Sequence, residues 1–166
     1  MAEPLSLPPV PAPPKGERLK DKVVLLTGAA QGIGEAIVAA FASQQAKLLI
    51  SDIQAEKVEK VAAHWREQGC DVQALKADVS RQHDLHAMAK RAVELHGRID
   101  VLVNCAGVNV FRDPLEMTDE DWHRCFAIDL DGAWFGCKAV LPQMIEQGVG
   151  SIINIASTHS SHIIPG

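Results

Sequence analysis

Ten consecutive residues, Leu25-Leu26-Thr27-Gly28-Ala29-Ala30-Gln31-Gly32-Ile33-Gly34, constrain the fold of this chain more than any other stretch. They continue an apolar run that starts at Val23, and they open an amphipathic helix. A strand, a glycine turn and a helix N-terminus, in that order, form a diphosphate-binding device. Backbone N–H groups and the positive end of the helix dipole face the anion, and the missing side chains let it come close. Spaced glycines alone would serve any tight turn; their place between strand and helix gives them this meaning.

The rest of the chain repeats the strand–helix alternation. Apolar runs predict strands over 22–27, 47–52, 72–77, 99–105 and 151–156. Between them, residues 32–44 form a helix with Ile33, Ile37, Ala40 and Phe41 on one face, and residues 55–68 form another with Val58, Val61, Ala62 and Trp65 as its stripe. Ser80 is placed to cap a third helix, whose stripe is Leu85, Met88, Ala89, Ala92 and Val93. Thr118 is placed to cap a long fourth one that runs to about Gln147. Nearly continuous apolar strands between helices imply a parallel sheet covered on both faces. Right-handed crossovers make it a doubly wound α/β sheet with strand order 3-2-1-4-5.

Composition narrows the function classes. The net charge of −5 argues against a nucleic-acid surface, which needs a basic patch. The apolar runs are too short to span a bilayer, so no membrane role is expected. Six of the nine prolines fall in the first 14 residues, so residues 1–18 read as a disordered, polyproline-like tail and residues 19–166 as one nucleotide-binding domain. Cys70, Cys105, Cys125 and Cys137 lack paired spacing, which fits isolated thiols in a cytoplasmic setting.

With this order of elements in place, the motifs resemble the short-chain dehydrogenase/reductase family. Thr27-Gly28-x-x-x-Gly32-x-Gly34 matches its spaced-glycine signature. Asp78-Val79 follows the third strand, where the family places its adenine contact. Asn104-Cys105-Ala106-Gly107 resembles the family's Asn-Asn-Ala-Gly, with Cys105 in place of the second Asn. The segment from Ser151 to Ser157 resembles the strand that leads to the catalytic Ser. The resemblance covers everything except the proline tail, and it implies a Rossmann-type sheet of which this chain holds the first five of seven strands.

The cofactor expectation follows. The resemblance implies that Gly28, Gln31, Gly32, Ile33 and Gly34 cradle a dinucleotide, with Asp78 and Val79 at the adenine. Asn104 either touches the cofactor or bridges neighbouring strands, and Ala106 and Gly107 leave room for ribose. Asp52 ends the second strand, where an acidic residue accepts hydrogen bonds from the adenosine ribose hydroxyls. It also repels a 2′-phosphate: two unit charges about 4 Å apart at an effective dielectric of about 20 interact by about 4 kcal/mol. One ordinary hydrogen bond contributes only about 1 kcal/mol. NAD is therefore expected over NADP; Gln31 offers no cation to a 2′-phosphate, and Lys47 is the one left to consider.

The catalytic expectation is incomplete. The resemblance implies that Ser157 orients the substrate carbonyl or hydroxyl. A Tyr should act as acid and base, assisted by a Lys four residues later, because a phenol with pKa near 10 needs a cation to work at neutral pH. This chain contains no tyrosine. It stops at Gly166, short of the place where the family carries that residue, and it reads as a truncated form or a naturally shortened product. Asp129 stands where the family holds its catalytic Asn. At 100° per residue it falls on the stripe of Trp122, Phe126, Ala133 and Cys137, an inward face where a carboxylate needs a partner.

The function expected is an NAD-dependent oxidoreductase acting on a secondary alcohol, a carbonyl or a sugar hydroxyl, with the 166-residue chain itself inactive. Cys137 to Pro142 and Ile155 to His159 resemble sugar-oxidising members that convert an aldose to its lactone. The alternative is a non-catalytic nucleotide-binding or regulatory protein. The full-length family pattern implies a homo-oligomer, dimer or tetramer. No metal is expected from His83-x-x-His86 or His159-x-x-His162, which lack a third inward ligand. Trp122 and Trp134 read as core or subunit-interface anchors.

Overall fold

A computed structural model describes residues 13–110 and 112–157. Five strands form one parallel sheet: β1 (Val23–Thr27), β2 (Lys47–Asp52), β3 (Val72–Lys76), β4 (Val101–Asn104) and β5 (Ser151–Asn154). Their spatial order is β3-β2-β1-β4-β5, as the alternation and the crossover rule require. Between them lie α1 (Gly32–Ala42), α2 (Ala55–Glu67), α3 (Gln82–His96), α4 (Asp119–Phe126) and α5 (Gly132–Gln147).

Alternation along the strands builds two cores. Val24, Leu26, Leu48 and Ile50 point to the side covered by α1 and α2, where they meet Val38, Val58 and Ala62. Val23, Leu25 and Leu49 point the other way and pack with Met88, Ala92, Val140 and Met144 of α3 and α5. With both faces covered, β1 is buried along its whole length.

Two local readings are corrected and a third holds. On α1 the buried residues are Gly34, Val38 and Ala42, with Ile37 and Phe41 half-buried, and Ile33 is exposed. A glycine can take the innermost position because the helix start lies against the turn, so the stripe rotates away from Ile33. Ser80 does not cap α3, which begins two residues later; its amide and hydroxyl both donate to Asp78 Oδ1 (3.0 and 2.6 Å). Thr118 does cap α4, accepting from the Asp121 amide at 3.1 Å.

The expected long helix is interrupted. Residues Ala127–Asp131 adopt π-helical form between α4 and α5. A π turn closes i→i+5 and inserts a residue, so a constant 100° projection fails across it. Trp122 and Phe126 are accordingly not inward: they are 52% and 42% exposed, with their rings 4.5 Å apart. Trp134 is exposed too, so neither tryptophan is a core anchor.

The chain is tied down earlier than residue 19. The Gly16 amide donates to Ser43 O at 2.9 Å, and Gln44 Nε2 donates to Pro14 O at 2.6 Å. Leu19 packs against the core below α1. Residues 1–12 of the proline tail lie outside the described residues.

Candidate cofactor cleft

All five strands are parallel, so their C-terminal ends lie on one edge, and β1 and β4 diverge there toward opposite helix layers. A crevice must open at that switch point. The structure places a cleft of about 430 Å³ there. Its walls are the Gly28–Gly34 turn, the end of β2, the Ala77–Val79 segment after β3 and the Cys105–Val108 segment after β4, with Ile128 and Ile155 at the far side.

The glycine turn is shaped by close approach. Gly28 has φ +70°, and a Cβ there would stand 2.6 Å from Ala106 Cα. A Cβ on Gly34 would overlap the carbonyl oxygen of Gly28, so the first turn of α1 sits directly on the loop. Gly32, with φ +60°, has no atom within 4 Å of where its Cβ would be, and it faces the opening. No side chain caps α1 at Gln31. An uncapped helix start, short of hydrogen-bond partners for its first amides and facing a cavity, fits a diphosphate.

Asp52 is held at the end of β2 by two backbone amides. Ala30 N–H donates to its Oδ2 at 3.1 Å and Gln54 N–H donates to its Oδ1 at 2.9 Å. The carboxylate is thus fixed on the wall of the cleft, half-buried, beside the glycine turn. Lys47 is not near it. It starts β2 at the opposite edge of the sheet and lies 3.7 Å from Asp21. One cation at this end is Lys57, whose Nζ donates to Gln31 Oε1 at 3.3 Å.

Thr27 is the strap of the site, and sequence reasoning gave it no role. Its buried hydroxyl oxygen accepts from the amides of Cys105 and Ala106, at 3.1 and 3.2 Å. It joins the end of β1 to the start of the loop after β4 and so fixes the cleft floor. The readable signal was a hydroxyl at the end of a buried strand, which must find partners. Burial pushes the Cys105 thiol up, so this cleft thiol stays protonated at neutral pH.

The remaining site candidates divide. Asp78 lines the cleft and also serves its turn, through Ser80 and through Arg81 at 3.6 Å. Val79, Ala106 and Gly107 line the cleft as well. Asn104 does not. Its Nδ2 donates to Asn154 Oδ1 at 2.8 Å and to Ala133 O at 3.2 Å, binding β4 to β5 and α5. Its side chain leaves β4 on the face that α5 covers, which takes it away from the opening; its Oδ1 is buried without a partner among the described residues.

Asp129 is not buried as the helical projection implied. It is exposed, on the π turn, and its Oδ1 accepts from the Val108 amide at 2.9 Å. It also lies against Gly107, so it braces the loop after β4 from outside the cleft. Cys125 approaches its other oxygen at 3.5 Å; burial, the hydrogen bond to Asp129 and its charge all raise that thiol. Ser157 follows β5 and is exposed. Ile155, two residues earlier, donates its amide to Asn104 O at 2.9 Å and lines the cleft.

His83 and His86 bind neighbours on α3: His83 lies 3.5 Å from Asp84 and His86 lies 3.1 Å from Gln82. Among the described residues no group of three His, Cys, Asp or Glu is placed to hold a metal, and no helix is long and apolar enough to cross a membrane. His159 and His162 lie outside the described residues.

Comparison with known proteins gives a consistent result. A family model described as short chain dehydrogenase matches residues 22–166. An uncharacterized oxidoreductase of Thermotoga maritima is 37% identical over 142 residues, covering 86% of this chain and 56% of the relative. A D-threitol dehydrogenase of Mycolicibacterium smegmatis is 39% identical over 140 residues, covering 84% and 54%. The solved structure of a short chain dehydrogenase/reductase from Burkholderia phymatum in complex with NAD superposes with a TM-score of 0.85 at 29% identity, covering 89% of this chain and 53% of that one. The chain spans about half the length of the curated relatives it matches.

Proposed function

The chain belongs to the short-chain dehydrogenase family, and from that premise we propose that its cleft holds NAD in preference to NADP. We further propose that the reaction served is hydride transfer between the nicotinamide and a secondary alcohol, carbonyl or sugar hydroxyl. The observation that carries the reading is the pairing of an uncapped α1 N-terminus with a fixed Asp52 carboxylate on the two walls of one cleft. In that arrangement the amides of the Gly32–Gly34 turn take the diphosphate and Asp52 takes the adenosine ribose hydroxyls. Asp78 and Val79 flank the adenine, and Ala106 and Gly107 leave space on the β4 side. NAD, when bound, supplies the hydride acceptor.

The chain's own residues then have limited work. Thr27 keeps the floor in place, Asp129 braces the Gly107–Val108 loop, and Ser157 is offered to the substrate oxygen. The behaviour to test in these residues is nucleotide binding, and a non-catalytic nucleotide-binding or regulatory role is the second reading. A secondary alcohol or sugar hydroxyl draws support from the D-threitol dehydrogenase relative. A homo-oligomer and a cytoplasmic setting belong to the same proposal.

Isothermal titration with NAD and NADP tests the reading. NAD should bind at least about tenfold more tightly, a difference of about 1.4 kcal/mol. Equal affinity for both would overturn the preference, and no binding of either would overturn the assignment of the cleft.

A further inference from the structure

Of the charges around the adenosine end of the cleft, Asp52 and Lys57 are held differently. Asp52 is clamped by two backbone amides, 3.1 and 2.9 Å from its oxygens. Lys57 stands in the first turn of α2 and is exposed; its one side-chain bond among the described residues runs to Gln31 on the α1 wall. That bond joins the start of α2 to the α1 turn, between residues that are 26 positions apart; Lys57 stands beside the cleft lining, next to Gln31, and not in it. Gln31 is itself a cleft residue. The Lys57 ammonium is therefore parked at the rim of the ribose region on a neutral amide, with no carboxylate bound to it among the described residues.

We infer that Lys57 sets how strongly this cleft discriminates against a 2′-phosphate on the adenosine ribose. The inference rests on the proposed nucleotide-binding reading and goes past it. Asp52 alone would reject a 2′-phosphorylated nucleotide outright. A lysine that can leave a neutral amide for a dianion offsets part of that repulsion, so the preference for the unphosphorylated ribose is moderate and one substitution inverts it. Gln31 has a defined part: it is the resting partner that holds the ammonium within reach.

Two further cations must be weighed. Arg81 is committed to a carboxylate, 3.6 Å from Asp78. Lys76 ends β3 in register with Asp52 and is exposed. It makes no hydrogen bond to a cleft residue, whereas Lys57 does, so Lys57 is assigned the role and Lys76 becomes the control.

The test is titration calorimetry on the full chain with two probes, NAD and NADP, which differ only by the phosphate in question. The quantity read is the ratio of their affinities. For the native chain NAD should bind the tighter. Lys57→Met should widen that preference by about fivefold, the size of one exposed charge pair. Lys76→Met should leave the ratio within about twofold. Asp52→Asn should invert the preference, and Asp52→Asn with Lys57→Met should lose the inversion. The Lys57→Met arm keeps native Asp52 and its amide contacts, so it stands even if the Asp52 variant does not fold. An unchanged ratio in Lys57→Met, or a widening in Lys76→Met of the same size, would overturn the inference. Failure of the native chain to bind either nucleotide would instead overturn the cleft assignment, so the two failures are told apart.

Discussion

The two flanks of β1 are finished to different degrees. On the β2–β3 side, strands and helices α1 and α2 bury one another, and the Asp52 carboxylate is satisfied by the backbone of its own flank. On the β4–β5 side, α4 has no buried residue, and Ile153 and Ile155 at the sheet edge are 39% and 40% exposed. The groups that would grip the nucleotide hang from the first flank and inherit their positions from a core packed on both faces. Asp129 and Ser157 hang from a π turn and a strand end that solvent reaches. The geometry proposed for nucleotide binding is thus built into packing, while Asp129, proposed for the substrate side, is placed by local hydrogen bonds. Substitutions on the first flank should cost stability and binding together; on the second flank they should cost far less stability.

The sharpest way to break that contrast is Gly34→Val. The added atoms would be forced into the Gly28 carbonyl, which is backbone and cannot swing aside. We expect a loss of more than about 3 kcal/mol in urea unfolding, with nucleotide binding lost as well. Gly32→Ala is the companion: its Cβ would meet nothing, and only the left-handed φ is penalised, at about 1–2 kcal/mol. If both variants unfold alike, the close packing of α1 on its turn is not what holds the cleft.

Asp100 joins the flanks and should give the next largest effect. Its carboxylate accepts from the Val23 amide at 2.9 Å and from Arg98, and Lys22 lies 3.6 Å away. Burial by itself would raise this carboxyl, but the Arg98 hydrogen bonds, the Val23 amide and the two positive charges outweigh it, so its pKa is lowered. A lowered folded-state pKa means stabilisation that is present above the unfolded value and is lost as pH falls through the folded one. Asp100→Asn should therefore cost about 2 kcal/mol at pH 7, with the difference from native shrinking below about pH 4. Denaturant midpoints measured from pH 7 down to pH 3 check this. A pH-independent difference would show that the hydrogen bonds, and not the charge, carry the effect.

Asn104→Ala probes the seam with the open flank. It removes the bonds to Asn154 and Ala133 and leaves the Asn154 side chain without this donor. A cost of about 1–2 kcal/mol in urea unfolding is expected, with ADP affinity unchanged, because Asn104 does not line the cleft. A fall in ADP affinity at full folding would place this side chain at the cofactor after all.

How much of this was readable follows the same divide. Strand order, both cores and the cleft position came from periodicity and crossover handedness, because strands buried on both faces leave unbroken apolar runs. Gly28, Gly32 and Gly34 were readable because spacing between a strand and a helix is local. The stripe of α1 was misread at Ile33, since a glycine at the helix–turn contact carries no hydrophobic signal. Asp129 was misplaced because nothing in Ala127-Ile128-Asp129-Leu130-Asp131 announces a π turn, and a single inserted residue rotates all that follows. Lys57 was missed for a different reason: its partner Gln31 is distant in sequence, and a pairing between two helix starts has no periodicity to betray it. Thr27 lay inside the recognised motif, but its work is done on backbone amides nearly eighty residues away.

The smallest expected effect is the most demanding test of the contrast. Ile145 on α5 is 74% exposed, although a β-branched apolar residue at that level of exposure is out of keeping with the well-buried opposite face of the same helix. Ile145→Lys should shift the unfolding free energy by no more than about 0.5 kcal/mol, since almost no packing is lost and a lysine is a good helix former. The measurement is a urea midpoint at two protein concentrations differing by tenfold. A small shift that ignores concentration means that solvent is the native neighbour of this face. A shift above about 1 kcal/mol that grows with concentration would mean that another molecule covers α5, because only an associating state gains stability by mass action. In that case the open flank would be closed by association, and its exposed apolar residues would belong with the buried ones on the other side of β1.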